Sequence, residues 1–236
     1  MTTSAGLRPV IDRPLKREQI EFAPELRAEL YEKLTQGLAE LKLTASGKQK
    51  DALIESLAFL SEWNAVINLT AIREPHDMLV QHILDSLAVL HAIPMEATTL
   101  LDVGAGGGFP SLPIAVMRPD LEVIAIDSVR KKTDYLAKAA THLKINNLSA
   151  IHSRVEDHPT TYDVVISRAY ASLKDFVTTA GDRLADDESI LLAMKGKHPL
   201  EEINELAGTG WVVDRKRDLK VPFLDAERCL LWLERA

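Results

Sequence analysis

The segment that most restricts this chain is Leu100-Leu101-Asp102-Val103 running straight into Gly104-Ala105-Gly106-Gly107-Gly108-Phe109-Pro110. A short apolar run that ends in clustered glycines reads as a buried strand entering a tight turn. Residues 110–117 then read as a helix, and 121–126 as a second apolar strand closed by Asp127. Strand, glycine turn, helix and strand in that order form a βαβ unit. The alternation continues downstream. A helix is expected to about Leu143, a short strand near Ala150, strands at 162–167 and 189–194, and two final strands at 210–217 and 228–234. Continuous apolar strands alternating with helices predict an α/β fold: a mostly parallel sheet with helices on both faces.

Upstream the pattern is helical. Leu26, Leu30, Leu34, Leu38 and Leu41 lie near one face at a period of 3.6. Ser46 is placed to cap a second helix carrying Leu53, Leu57, Leu60 and Trp63. Residues 64–74 read as a loop. Pro75 suits the first turn of a third helix through Met78, Leu79, Ile83, Leu84, Leu87 and Leu90. The expected organisation is a flexible tail over 1–22, a helical N-terminal layer over 23–95 and an α/β core over 96–236.

Composition narrows the class. With 46% hydrophobic residues the chain has enough apolar content for a packed core. No apolar run approaches the ~20 residues of a bilayer span. The start carries no apolar signal stretch, and Cys229 is the one cysteine. Internal disulfides and four-cysteine zinc sites are therefore excluded, and a reducing cytoplasm is expected. A net charge of −7 argues against indiscriminate nucleic-acid binding. It leaves room for local basic patches, and two stand out: Arg130-Lys131-Lys132 and Arg215-Lys216-Arg217.

The glycine turn lets backbone approach a ligand without side chains in the way. The helix starting near Pro110 is expected to aim amide N–H groups at an anionic end of that ligand. Asp127, 23 residues after Gly104, stands where an acidic residue holds ribose hydroxyls in nucleotide-binding βαβ units. A dinucleotide fingerprint counted from Gly104 wants Gly or Ala where Phe109 stands, and no Gly-Lys-Ser/Thr follows for a phosphate loop. A nucleoside with an anionic end and no pyrophosphate remains, and S-adenosylmethionine fits. The stretch resembles the cofactor loop of class I (Rossmann-like) methyltransferases.

Further segments sharpen the resemblance: Asn68-Leu69-Thr70, His82-Ile83-Leu84-Asp85-Ser86, Asp127-Ser128, Ser153-Arg154-Val155-Glu156, Ile166-Ser167-Arg168-Ala169 and Lys195-Gly196. In that order and spacing they resemble the bacterial 16S rRNA guanine-N7 methyltransferase G family, also called glucose-inhibited division protein B. The resemblance runs from about Ser46 to the C-terminus. It implies methyl transfer from S-adenosylmethionine to nitrogen 7 of one guanine in 16S rRNA. It also implies that Gly104, Gly106 and Phe109 line the cofactor, that Val155 and Glu156 hold its adenine side, and that Arg168 completes the pocket. The Gly106–Gly108 triplet departs from the more varied loop of the family and suggests extra flexibility. The implied partner is small-subunit rRNA, in the 30S subunit or an assembly intermediate, met by a cytoplasmic monomer with no metal and no membrane.

Guanine nitrogen 7 carries a free lone pair at neutral pH, so the reaction needs positioning and desolvation rather than a base. Cys229 is far from the glycine loop in sequence and reads as a small buried residue. Glu156 is either a solvated loop acid or a ligand contact, and Arg168 either a contact or an ion-pair partner. His82 and Asp85 share a helix face and read first as a packing hydrogen bond. Lys195 is an RNA contact or a strand-end charge, and Tyr170 stacks on the base or belongs to the core. Two other functions stay open on residues alone: a class I methyltransferase for a small molecule or protein, and a noncatalytic ribosome-assembly factor.

Overall fold

The computed structural model describes residues 20–168 and 170–236; the tail expected over 1–22 lies, but for its last three residues, outside them. The chain opens with α1 (Pro24–Glu40) and α2 (Gly47–Ile67). Leu30, Leu34 and Leu38 of α1 are buried, as their spacing requires. Ser46 caps α2 in a capping box: its side chain accepts from the Gln49 amide, and the Gln49 side chain accepts from the Ser46 amide. The helix does not stop at Trp63. It runs to Ile67, because the buried Asn64 side chain secures the turn that follows. Asn64 Oδ1 accepts from the Leu69 and Thr70 amides at 2.6 and 2.9 Å.

The third helical stretch is also not the single helix expected. It starts as α3 (Pro75–Met78), widens into a π turn over Leu79–Leu84, and closes with α4 (Asp85–Leu87). A π turn inserts one extra residue per turn and often marks a functional position.

The α/β part follows the expected order: β1 (Thr99–Val103), α5 (Ser111–Met117), β2 (Glu122–Asp127), α6 (Arg130–Leu143), β3 (Leu148–His152), β4 (Val164–Arg168), α7 (Leu173–Ala180), β5 (Ile190–Lys195), α8 (Leu200–Asn204), β6 (Trp211–Asp218) and β7 (Cys229–Arg235). Tyr162, expected inside the fourth strand, stands outside it in an isolated bridge to Leu184. The seven strands lie in the order β3-β2-β1-β4-β5-β7-β6. The first five are parallel, and β7 is antiparallel to both β5 and β6. The sheet is mixed because the chain passes through α8 to the edge strand β6 and a hairpin then turns β7 back between β5 and β6, antiparallel to both.

Alternate side chains enter two cores. Leu100, Val123, Ile166 and Leu230 join the N-terminal helices, α5 and α6 on one face. Leu101, Ile124, Val165 and Leu231 meet Phe176 and Val177 of α7 on the other. The N-terminal layer is thus continuous with the core of the sheet. Strand order reverses between β1 and β4, and the carboxyl ends of β1, β2, β4 and β5 open along one edge. In open α/β sheets that edge, at the reversal, is where ligands bind.

Candidate functional site

Two crevices open on this edge. The first, of about 370 Å³, lies over β1 and β2 and is lined by Val103, Gly104, Asp127, Ser128, Lys132, Ser153 to Glu156 and Tyr170. Gly104 leaves β1 with φ +74°, and a Cβ there would stand 3.3 Å from the Tyr170 ring. Only glycine keeps this wall thin without backbone strain.

Asp127 ends β2 and is 7% exposed. Its Oδ2 accepts from the Gly106 amide at 3.0 Å and its Oδ1 from the Val129 amide at 2.8 Å; Lys132 Nζ is 3.6 Å from Oδ2. A carboxylate has about four acceptor positions, so Asp127 pins the glycine turn and keeps lone pairs for further donors. Val155 is buried and Glu156 exposed, both on the rim beyond β3. Gly106 reaches the crevice through Asp127.

Phe109 and Arg168 lie outside this crevice. Phe109 is buried beneath the glycine turn, stacked on His82 with ring centroids 4.5 Å apart and planes 11° from parallel. A bulky residue fits there because the N-terminal layer supplies the partner. The helix-start expectation is revised as well: the Ser111 amide donates to Asp102 Oδ2 at 3.1 Å, so a buried side chain takes that amide. Asp102 is fully buried, and burial pushes its carboxyl up to about 6. The third glycine of the triplet has a packing reason: Gly108 has φ +89°, and its Cβ would lie 2.4 Å from Leu136 Cδ1.

The second crevice, of about 380 Å³, lies over β4, β5 and β7 and is lined by Gln81, His82, Asp85, Arg168, Lys195, Gly196, Arg228 and Cys229, among others. Its centre is a clamp that no local sequence pattern announces. Asp85 accepts from Arg168 Nη1 at 2.9 Å on one oxygen and from Arg228 Nε at 2.9 Å on the other. Arg168 also donates to the Gln81 carbonyl at 2.8 Å, and its guanidinium lies 5.4 Å from the Phe109 ring centroid. The π turn is what aims Gln81, His82 and Asp85 at one side.

His82 is 5% exposed. Its Nε2 is 2.9 Å from Thr70 Oγ1, and Nδ1 has no partner among the described residues. Burial, then the nearby Arg168 charge, lowers its pKa to about 3, so the ring is neutral at physiological pH. The packing hydrogen bonds expected of His82 and Asp85 are present, His82 with Thr70 and Asp85 with Arg168 and Arg228, and both residues line the crevice as well. Lys195 is held by Glu202 at 2.7 Å. Tyr170 sits over Gly104 in the first crevice, with its hydroxyl 3.2 Å from Thr179 Oγ1. Cys229, remote in sequence, comes to the second crevice because β7 pairs it with Lys195. Of the run Arg130-Lys131-Lys132, only Lys132 reaches the first crevice.

The model of the rRNA small subunit methyltransferase G family matches residues 49–231. The chain belongs to that family. Ribosomal RNA small subunit methyltransferase G of Bordetella avium is 42% identical over 211 residues, 87% of this chain and 93% of that protein. The Burkholderia multivorans protein of the same name is 42% identical over 217 residues, 89% and 94% of the two chains. Among solved structures, a SAM-dependent methyltransferase from Aquifex aeolicus superposes with a TM-score of 0.51 at 20% identity. The match covers 64% of this chain and 90% of that one. The ribosomal protein L11 methylase from Lactobacillus delbrueckii subsp. bulgaricus gives 0.50 at 18%, covering 64% and 76%. These two likenesses show the class I methyltransferase fold. As a methyltransferase G, the chain is an S-adenosylmethionine-dependent rRNA methyltransferase.

Proposed function

We propose that this methyltransferase G carries S-adenosylmethionine in the first crevice and receives guanine in the second, methylating nitrogen 7 in 16S rRNA. One observation carries the reading: the two crevices flank the carboxyl end of β4, where Arg168 lines the second and Tyr170, two residues on, lines the first. A donor and an acceptor held there face each other across a single strand end.

The first crevice fits the cofactor. Its volume lies within the range of small-molecule sites, the Gly104 wall is bare, and Asp127 retains acceptor positions for ribose hydroxyls. Val155 and Glu156 border the adenine side. S-adenosylmethionine supplies a methyl group already activated by its sulfonium. The chain's work is therefore placement and exclusion of water. Ile72, Met194 and Leu219 give the second crevice apolar walls. Neutral His82, stacked on Phe109, closes its floor without adding a cation beside a base that becomes positively charged. Arg168 and Arg228 present donors suited to guanine O6, and Asp85 fixes both. We read the enzyme as a monomer that meets its rRNA in the cytoplasm. No helix of the described residues is long and apolar enough to cross a membrane.

The test is mass mapping of methylated nucleotides in 16S rRNA from cells with and without the protein. One guanine should lose a single ring methyl when the protein is absent. An unchanged map would overturn the assignment.

A further inference from the structure

We propose that the outer edge of the sheet, strand β6, is a track for the RNA phosphodiester backbone leading to the second crevice. The inference rests on the reading of an RNA substrate given above. β6 is the last strand of the sheet and carries Arg215, Lys216 and Arg217 in succession, with Lys220 just beyond; all four are exposed. On a chain of net charge −7 this is a local excess of cations, and a polyanion is steered to such a place.

The arginines are also prearranged. The guanidinium of Arg215 lies 4.2 Å, and that of Arg217 5.3 Å, from the centroid of the Trp232 ring. Neither makes an ion pair among the described residues. The register irregularity between Val213 and Arg215 takes Asp214 out of the pairing, and Asp218 approaches only Lys216, at 3.7 Å. Guanidinium groups already held against a ring lose less freedom when they bind a phosphate than free side chains do.

Register joins the track to the crevice. Arg168 pairs with Met194, Met194 with Leu230, and Leu230 with Arg217. Arg217 therefore stands on the same rung as the arginine that lines the second crevice, three strand spacings or about 14 Å away. Arg215 continues the line two residues, about 7 Å, further back. Leu219 and Arg228, which bracket the β6–β7 loop, line the crevice themselves. That loop presents Phe223, 45% exposed and held at φ +64°. A non-glycine aromatic held in the left-handed region is a strained arrangement that clusters at functional sites, and an exposed ring is a platform for an unstacked base.

Edge charge also keeps edge strands from pairing with other chains, and the two roles separate by experiment. The full-length protein is assayed for methyl transfer to 30S subunits and to protein-free 16S rRNA from cells lacking it. In Arg215→Gln/Arg217→Gln the KM for RNA should rise at least tenfold. The kcat should stay within twofold and the dissociation constant for S-adenosylmethionine should not move. The slope of log affinity against log salt should flatten by about 1.4, two contacts at ~0.7 each. Arg215→Lys/Arg217→Lys should keep the slope and lose part of the affinity. Lys220→Gln, away from Trp232, should flatten the slope by about 0.7. An active wild type with variants of unchanged KM and slope overturns the track alone. A wild type inactive on both RNA forms overturns the functional reading and the track together.

Discussion

Asp102 offers a test of the electrostatics beneath the glycine turn. Its carboxyl is fully buried, accepts one amide from Ser111, and leaves Oδ1 without a partner among the described residues. Burial moves it from a usual value of 3.8 to about 6, with Ser111 and the Arg168 charge pulling the other way. The sign follows from proton counts. Between 3.8 and about 6 the unfolded chain has released this proton while the folded chain retains it. Stability is therefore full below 3.8 and is lost as pH rises to about 6. At ~1.4 kcal/mol per pH unit the loss is about 3 kcal/mol, of which about 2 falls between pH 4.5 and 7.5. Asp102→Asn cannot ionise. Its oxygen still accepts from Ser111, and its buried NH2 adds a cost of about 1–3 kcal/mol that does not vary with pH. Urea unfolding of both chains, followed by circular dichroism at several pH values, isolates the effect. The difference in stability should move by about 2 kcal/mol in favour of Asn from pH 4.5 to 7.5. A difference that stays flat would refute the reasoning, whatever its absolute size.

The remaining predictions concern packing and the clamp. Gly108→Ala places a Cβ 2.4 Å from Leu136 Cδ1 at φ +89°, so urea unfolding should show a loss of about 2 kcal/mol or more. Asp127→Ala removes the carboxylate proposed to accept from ribose and frees the Gly106 and Val129 amides. Calorimetry should show affinity for S-adenosylmethionine reduced tenfold or more, and an unaltered dissociation constant would remove Asp127 from the cofactor site. Asp85→Ala leaves Arg168 and Arg228 partly buried without a counter-charge and should cost about 3 kcal/mol. In the double variant with Arg228→Met part of that loss should return, a non-additivity readable by a double-mutant cycle.

The fold was legible because each element has a local cause. Parallel strands buried on both faces must be apolar along their buried length, and 123–126 could hardly be read otherwise. The α1 leucines recur at helical spacing, and Ser46 announces the start of α2. What failed to show has equally local reasons. The end of α2 is hidden because Asn64 has the character of a loop residue, yet its side chain is buried and accepts from amides further along the chain. The π turn leaves no residue signature, since Leu79, Val80, Ile83 and Leu84 have the spacing of an ordinary core helix. In the site, Gly104 and Asp127 are legible because they stand at the ends of apolar strands, whereas Val155 and Glu156 are singled out by the family resemblance. The setting of Arg168 was not legible, because Asp85 and Arg228 are 143 residues apart and only the return of β7 along β5 brings them together.

Stability alone does not account for that clamp. Three partly desolvated charges rarely outperform an apolar cluster of the same volume, and Met194 and Leu219 nearby show that the fold can place such residues there. The clamp instead fixes the charge of the crevice. With guanine in the second crevice as proposed, Arg168 and Arg228 without Asp85 would set a charge of +2 beside a base that gains a positive charge on methylation. With Asp85 between them the cluster is +1, and both guanidinium groups stay ordered. His82 works in the same direction, since its burial keeps the ring neutral. A site that neither removes a proton nor donates one gains by lowering the electrostatic cost of its cationic product. The carboxylate between two arginines and the neutral histidine are two ways of doing so with side chains already needed as walls.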